Sequence, residues 1–239
     1  MILRMKGRVA AIALVLASFT YSAEVLAQGA PRISISPSVF KVEWVPINGN
    51  TDQVPIAQGN VADPNVQVHW YGDAAQHLLT SGSPDNPGRP FSVWSGECDG
   101  PFAITFSQKD NYVDLTGLAK MRWVVKTSGF HAVRPVIKLA DGTMLVGNLA
   151  ATSPPMMTQL EFTFAGVRWV RLDPERVVTI ADGADSSGEI WVENPDLSKV
   201  DEIGFADLMP ASGHGAGGFI HLGNIEVFGR AVPRGNGPT

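Results

Sequence analysis

A two-residue alternation of apolar and polar side chains recurs in short segments of this chain and most constrains its fold. Segments 102–106, 160–164 and 220–228 are rich in β-branched and aromatic residues. No window of a dozen residues has the 3.6-residue period of an amphipathic helix. Turn-forming residues such as Ser-Pro-Asp-Asn-Pro-Gly at 83–88 and Asp-Gly at 141–142 separate these segments. Many short strands at spacings near ten residues predict an all-β fold, a single β-sandwich or jelly roll.

The first 27 residues have the layout of a secretory signal peptide. Basic residues stand at positions 4, 6 and 8, an apolar run follows at 9–17, and small residues precede a cleavage site after Ala27. The apolar run is too short to span a bilayer stably, so we expect no membrane span in the mature chain. We therefore predict a periplasmic or extracellular protein. Residues 28–239 would form its single domain, with flexible ends at 28–32 and 230–239.

The charge balance argues against a nucleic-acid partner. The whole chain has 18 basic and 23 acidic residues, a formal net charge of −5. Removal of the signal peptide, with its three basic residues and one acidic residue, leaves −7. General nucleic-acid binders are normally basic, so we expect none of that class of partner.

The single cysteine excludes both an internal disulfide and a cysteine-cluster metal site. Cys98 lies between Glu97 and Asp99, two acidic neighbours that disfavour a thiolate. We expect a buried, unreactive thiol in place of a nucleophile.

Two ten-residue segments repeat one local device. Segments 114–123 (DLTGLAKMRW) and 196–205 (DLSKVDEIGF) align without gaps, and apolar residues fall at their fifth, eighth and tenth positions. Asp with Thr or Ser caps a short turn, after which the chain enters a strand. The predicted buried side chains of these strands are Met121, Trp123, Ile203 and Phe205.

Three segments together resemble galactose-binding-like jelly rolls. They are SGECDGPFAITF (95–106), DLTGLAKMRWVVKTSGFHAVRPVIKLADG (114–142) and DLSKVDEIGFADLMPASGHGAGGFIHLGNIEVFG (196–229). The order and motifs are similar to those of the thirty-kilodalton complex I intermediate-associated family and of related carbohydrate-binding modules. The resemblance implies a β-sandwich and makes carbohydrate a plausible ligand. It implies no catalytic residue.

Strand alternation leaves four cations on outward-facing positions. Arg122 and Lys126 alternate with core residues in one segment, and Arg134 and Lys138 do so in the next. If the two segments pair as neighbours, all four cations share one outer face and suit the carboxylate or sulfate groups of an acidic sugar. The alternative is a ladder of cross-strand ion pairs on a solvated face. Its partners would be Glu161, Glu226 or Asp207.

Two of the five histidines are candidates for a role at the rim of the sandwich. His131 stands at the start of a predicted strand, and His214 lies in a glycine-rich loop. Either imidazole is suited to hydrogen-bond a sugar or to act as an acid or base near neutral pH. The alternative for each is a structural histidine. No spacing typical of a zinc site is present.

Aromatic and acidic residues supply two further candidates. Trp70 and Trp94 lie at predicted strand ends next to glycines, where a ring is able to stack on a sugar; the alternative is core packing. The segment 182–189 holds three carboxylates that suit a structural calcium, although a solvated acidic turn is the preferred interpretation. The calcium candidates are Asp182, Asp185 and Glu189. No other cofactor is indicated.

The sequence favours an exported carbohydrate-binding β-sandwich over an enzyme, with acidic glycans as candidate ligands. The first alternative is a polysaccharide lyase acting on uronate units. A cation would then neutralise the uronate carboxylate and a base would remove the C5 proton. Arg122, Arg134 or Lys138 would serve as the cation, and His131 or His214 as the base. The second alternative is a periplasmic interaction or assembly protein.

Overall fold

Antiparallel strands make up almost all of the regular structure. A computed structural model describes residues 36–72, 77–96, 98–152, 155–180, 191–209 and 218–235. The predicted signal peptide, His214, and the calcium candidates Asp182, Asp185 and Glu189 lie outside these residues.

Seventeen strands fall within the described residues. In chain order they are β1 (Ser38–Val42), β2 (Val66–Tyr71), β3 (Leu79–Ser81), β4 (Ser92–Trp94), β5 (Phe102–Gln108), β6 (Asn111–Asp114), β7 (Lys120–Thr127), β8 (Ala132–Leu139), β9 (Met144–Gly147), β10 (Ala151–Thr152), β11 (Thr158–Thr163), β12 (Trp169–Asp173), β13 (Val178–Thr179), β14 (Trp191–Val192), β15 (Val200–Asp207), β16 (Ile220–Phe228) and β17 (Arg230–Pro233).

These strands form two sheets. The smaller sheet has the order β11-β7-β16-β4-β3, and β1 pairs with the far end of β16. The larger sheet has the order β13-β12-β9-β8-β15-β5-β2, with β10 on β8, β14 on β12, β6 on β15 and β17 on β6. Consecutive strands β7 and β8 belong to different sheets, so the chain crosses the sandwich between them.

The core lies between the inner faces of the two sheets. In β7, buried residues alternate with partly exposed ones along the whole strand, as the sequence predicts. Trp123 of β7 stacks on Phe205 of β15, with ring centroids 5.0 Å apart, and so joins the smaller sheet to the larger. Met121 and Ile203 are buried beside them. The predicted all-β sandwich is confirmed.

The two repeated Asp-Leu-Thr/Ser segments form matching turns. The carboxylate of Asp114 accepts a hydrogen bond from the backbone N–H of Thr116 (2.8 Å), and that of Asp196 accepts one from Ser198 (3.0 Å). The turns also meet, because the N–H of Leu115 donates to the carbonyl of Leu197 (2.8 Å). These bonds satisfy backbone groups just before β7 and β15 begin.

Helical structure in the described residues is limited to three short 3-10 turns, at Ile47–Gly49, Gln58–Asn60 and Phe164–Gly166. No helix in this part of the chain has the length and hydropathy needed to cross a bilayer. Cys98 is 1% exposed and belongs to the core, as the sequence predicts.

Candidate ligand-binding site

The four predicted cations do not share a face. Arg122 and Lys126 lie on the outer face of the smaller sheet, whereas Arg134 and Lys138 lie on the outer face of the larger one. The expectation of a common patch is wrong because β7 and β8 do not pair. Instead, β7 pairs with β11 and β16, and β8 pairs with β9, β10 and β15.

Arg122 belongs to a ladder of cross-strand ion pairs, the alternative to an anion-binding patch given in the sequence analysis. Its Nη2 lies 3.0 Å from Oε2 of Glu161, and its Nη1 lies 3.3 Å from Oε2 of Glu226. Lys120 also binds Glu161 at 3.0 Å. The hydrogen bonds from Lys120 and Arg122 lower the pKa of Glu161. Two carboxylates therefore satisfy the guanidinium of Arg122, which is poorly placed to serve as an anion receptor.

Lys138 belongs to a hydrogen-bonded network on the larger sheet. Its Nζ donates to Oε1 of Glu202 (2.9 Å) and to the hydroxyl of Tyr71 (3.2 Å). The hydroxyl of Tyr71 donates to Oε2 of Glu202 (2.8 Å), and Thr105 donates to the same oxygen. Burial acts to lower the pKa of Lys138, but these hydrogen bonds outweigh it and raise the pKa. The ammonium is therefore held in its charged form by the protein itself.

Arg134 lies on the same face of the larger sheet as Lys138. Its Nη1 donates to the backbone carbonyl of Asn148 (3.2 Å). Five cavities open between described residues, and neither cation of β8 is among the residues that line them.

His131 is not at the rim. It is 1% exposed, and its Nδ1 lies 2.6 Å from Oδ2 of the fully buried Asp207. Burial raises the pKa of Asp207, and the backbone N–H of Met209 and the His131 side chain offset part of that effect. The interpretation of His131 as a structural histidine fits this enclosed pair. Its Nε2 has no hydrogen-bond partner among the described residues.

Neither predicted tryptophan presents an open ring to solvent. Trp70 packs against the core from the inner face of β2. Trp94 is 7% exposed, and its ring stacks on His221 with centroids 6.4 Å apart. Gly96 is required beneath it, because a Cβ there would lie 1.9 Å from a ring carbon of Trp94. Trp70 therefore takes the core-packing alternative. Trp94 pairs with His221 on the outer face of the smaller sheet, where it is covered and supports a cavity described next.

Lys126 is the predicted cation that lines a cavity. The cavity, of about 290 Å³, lies on the outer face of the smaller sheet. No carboxylate is among the described residues that line it, and no carboxylate of the described residues lies within ion-pair distance of Lys126. Its lining residues are Gly88, Arg89, Pro90, Ser92, Lys126, Pro155, Met156, Met157 and His221.

His221 is the residue around which this cavity is organised. It pairs across β16 and β7 with Lys126, and its Nδ1 lies 3.3 Å from the hydroxyl of Ser92. Burial and the charges of Lys126 and Arg89 lower the pKa of His221 to about 4. The imidazole is therefore neutral near pH 7 and is able both to donate and to accept a hydrogen bond.

The turn-rich segment at 83–90 positions Arg89. The N–H of Ser83 donates to the carbonyl of Arg89 (3.0 Å) and closes the loop, while Asn86 Oδ1 accepts from the N–H groups of Gly88 and Arg89. Gly82 has a φ of +89°, and a Cβ there would lie 2.3 Å from the carbonyl oxygen of Pro90. The guanidinium of Arg89 donates to the hydroxyl of Ser81 (3.1 Å).

A second cavity adjoins the first and shares Pro90 and Met157 with it. Its volume is about 270 Å³. A β-bulge in β16 shapes its floor: Gly223 and Asn224 stand opposite the single residue Val124 of β7. We call the two cavities together the groove. The lining residues of the second cavity are Glu43, Trp44, Val45, Pro84, Pro90, Phe91, Val124, Met157, Gly223 and Asn224.

A larger cavity, of about 480 Å³, lies at the edge of the other sheet between segments 164–169 and 191–197. Three of the described aromatic residues line it, of which Phe164 and Trp169 are buried. The guanidinium of Arg168 lies 4.1 Å from the ring centroid of the third, Trp191. Arg168 thus already occupies the ring face that a sugar would use. This cavity is the weaker candidate.

Sequence reasoning missed Arg89, Ser92 and His221. The alternation Ile220-His221-Leu222 already indicates that His221 faces away from the core. No local signal pairs it with Lys126, which is 95 residues earlier in the chain, or places Arg89 beside both. The described residues bring together no group of three or more potential metal ligands. The calcium candidates at 182–189 stay a prediction.

Comparisons with known proteins add little to this geometry. No protein-family model matches the chain, and no curated protein matches it. The resemblance to the complex I intermediate-associated family is therefore not shown. Solved structures that align with the chain include a family 11 carbohydrate-binding module of the cellulosomal cellulase Lic26A-Cel5E of Clostridium thermocellum. Here the identity is 18% and the TM-score 0.43, and the alignment covers 76% of this chain and 96% of the module.

Two further structures align at similar levels. A family 11 module from Clostridium thermocellum, in complex with a β-1,3-1,4-mixed-linked tetrasaccharide, has 19% identity and a TM-score of 0.42, and covers 80% of this chain and 98% of its own. An exo-β-agarase has 10% identity and a TM-score of 0.37, over 78% of this chain and 26% of the agarase. At these identities and TM-scores the likenesses carry no argument about the ligand; the strands themselves establish the sandwich.

Proposed function

We propose that this chain is an exported carbohydrate-binding β-sandwich protein that binds acidic glycans. The proposed site is the first cavity, with Arg89, Ser92, Lys126 and His221. The observation that supports it is the pairing of two cations in one cavity whose described lining residues include no carboxylate. An anionic group from outside the chain is the natural partner for such a pair.

The remaining lining residues suit a sugar ring. Nζ of Lys126 lies 5.4 Å from the ring centroid of Phe219, a distance at which the ring attracts the ammonium. The neutral His221 and the hydroxyl of Ser92 are able to hydrogen-bond sugar hydroxyls. Met156, Met157 and Pro90 offer apolar surface to the C–H groups of a ring.

The test is binding to a panel of acidic and neutral polysaccharides by affinity electrophoresis, followed by calorimetry with oligosaccharides. Retention on acidic polysaccharides, weakened by added salt, is the expected result. Replacing Arg89 or Lys126 by Ala should weaken binding at least tenfold, because a hydrogen bond to a charged group contributes roughly 1.5–3 kcal/mol.

Arg122→Ala is the matched control. Arg122 lies on the same strand and face as Lys126, but Glu161 and Glu226 hold it, so we expect its loss to leave affinity unchanged. Absence of retention on every polysaccharide would end the proposal. Unchanged binding in both Arg89→Ala and Lys126→Ala would remove the site.

No observation favours the lyase alternative. His131, the described candidate for its base, is buried against Asp207, away from the cavity that holds the cations. We therefore propose binding without catalysis. Export belongs to the same proposal: expression in a host with a periplasm should yield a mature chain beginning at Gln28, as read by N-terminal sequencing.

A further inference from the structure

The groove continues beyond the first cavity, which is lined by the two cations Arg89 and Lys126. Pro90 and Met157 line both of its cavities, so the two are neighbours over one strip of the smaller sheet. Each cavity is large enough for one sugar ring. Together they fall within the range of roughly 300–1,000 Å³ that is usual for small-molecule sites.

The second cavity depends on the absence of a side chain in the bulge of β16. A Cβ at Gly223 would lie 2.9 Å from Cε of Met157 and 3.0 Å from Cβ of Val124. The carbonyl of Gly223 accepts a hydrogen bond from Nε1 of the buried Trp44 (3.0 Å), which anchors the bulge to the core. The floor of the second cavity is thus built into the strand.

The two cavities differ in charge. Arg89 and Lys126 line the first, whereas Glu43 is the charged residue among the described residues of the second. The amide of Asn224 lines the second cavity as well. Lys41 forms an ion pair with the carboxylate of Glu43; both side chains are about half exposed, and such exposed pairs contribute little. A carboxylate and an amide are suited to hydroxyl groups and unfavourable for a second anion.

From this geometry we infer that the groove binds two consecutive units of a glycan, an anionic unit beside Arg89 and Lys126 and an uncharged unit over Val124 and Gly223. The inference rests on the proposed function and narrows its ligand class. The preferred ligands are glycans in which charged and uncharged units alternate. Chains that carry a charge on every unit are disfavoured, because their next carboxylate faces Glu43.

Calorimetry with three tetrasaccharide probes and one monosaccharide tests the inference. The probes are a hyaluronan tetrasaccharide, in which charged and uncharged units alternate, tetramannuronate, in which every unit is charged, neutral cellotetraose, and glucuronate. We expect the alternating tetrasaccharide to bind at least tenfold more tightly than tetramannuronate. Equal or tighter binding of tetramannuronate would overturn the inference and leave the proposed function standing. No binding of any acidic probe or polysaccharide would end the proposed function itself.

Val124→Phe fills the second cavity from its floor. This substitution should weaken binding of the alternating tetrasaccharide at least tenfold and change the affinity for glucuronate by less than twofold. Gln159→Phe is the control, because Gln159 pairs with Val124 across β11 and β7 but does not line the groove. Equal effects of Val124→Phe on both ligands would contradict two separate subsites.

Glu43→Gln tests the charge argument with an exposed side chain whose replacement is not expected to disturb folding. Loss of the carboxylate should raise the affinity for tetramannuronate severalfold and change the affinity for the alternating tetrasaccharide by less than twofold. If Glu43→Gln changes neither affinity, Glu43 does not select against a second charge and the inferred ligand class is wrong.

Discussion

His221 lies on the outer face of the smaller sheet beside two cations, whereas His131 is enclosed beside Asp207. The imidazole is the same group in both places, and its surroundings decide what it is able to do. Burial and the two positive charges of Lys126 and Arg89 disfavour a third positive charge, so His221 is neutral and available for hydrogen bonding. His131 has its Nδ1 committed to a carboxylate and no access to solvent.

The pKa of His221 responds to the charges of Lys126 and Arg89 as well as to burial. Burial is the largest cause of the lowered pKa, and the charge of Lys126 adds to it. Lys126→Ala should therefore raise the pKa above about 4 but leave it below the ordinary 6.5, because removal of one nearby positive charge favours the imidazolium. NMR titration of the imidazole resonances measures it. Arg122→Ala should leave the pKa unchanged, since its charge is paired with Glu161 and Glu226. A His221 pKa that is the same in Lys126→Ala as in the natural chain would contradict the assigned environment.

The His131–Asp207 pair should matter for stability and not for binding. Asp207→Ala leaves Nδ1 of His131 and the N–H of Met209 without their acceptor, at a cost of about 1–3 kcal/mol in the free energy of unfolding. Urea unfolding of Asp207→Ala, of His131→Ala and of the double variant measures the coupling energy between the two side chains. The double variant should lose less than the sum of the two single losses. Strict additivity would mean that the two side chains do not stabilise each other.

At the scale of secondary-structure elements, one polar network connects four adjacent strands of the larger sheet. Tyr71 of β2, Thr105 of β5 and Lys138 of β8 all bond to Glu202 of β15, which is 3% exposed. Burial acts to raise the pKa of Glu202, but the hydrogen bonds from Thr105 and Lys138 outweigh it, so the pKa lies below the ordinary 4.5. The ionised carboxylate therefore stabilises the folded sheet.

Glu202→Gln should lower the free energy of unfolding at pH 7 by about 2–4 kcal/mol, because it leaves Lys138 without its carboxylate. A carboxyl whose folded pKa is lowered contributes stability above its unfolded pKa and loses it as the pH falls through the folded pKa. The difference in the free energy of unfolding between the natural chain and Glu202→Gln should accordingly narrow on acidification below about pH 4.5. Denaturant unfolding from pH 7 to pH 3 tests this; a difference that stays constant over the range would show that ionisation is not its source.

At the scale of the whole molecule, the net charge conceals a division of the cations between the two faces of the sandwich. The mature chain has a formal charge of −7 if it is processed after Ala27. On the larger sheet, Lys138 is neutralised by Glu202; on the smaller sheet, Arg122 is neutralised by Glu161 and Glu226. Arg89 and Lys126 lie together in the groove, so a local basic site persists on an acidic protein.

Cys98 provides a probe of global unfolding. Because the thiol is 1% exposed and belongs to the core between the sheets, it should resist a thiol reagent in the native protein. Labelling should rise along the same denaturant curve as tryptophan fluorescence, as expected for one cooperative unit. Labelling that occurs well before the fluorescence change would show that the region around Cys98 opens separately.

Much of the fold was predictable from local pattern. Alternation of side chains correctly predicted the buried faces of β7 and β15, including Trp123 and Phe205, and the Asp114 and Asp196 turns stand where the Asp-Leu-Thr/Ser segments predict them. These features depend on residues within one strand or turn, so the sequence carries them directly. The same alternation placed Lys126 on an outer face.

Which outer face Lys126 occupies, and what lies beside it, depended on the tertiary structure. Only a short turn joins β7 to β8, and this reads as a hairpin in the sequence, yet β8 crosses to the other sheet and pairs with β15. The sequence by itself determined which way each side chain faces, because that follows from the geometry of a single strand. The partners of each strand are set by long-range packing between inner faces, and that packing alone brings Arg89 and His221 to Lys126.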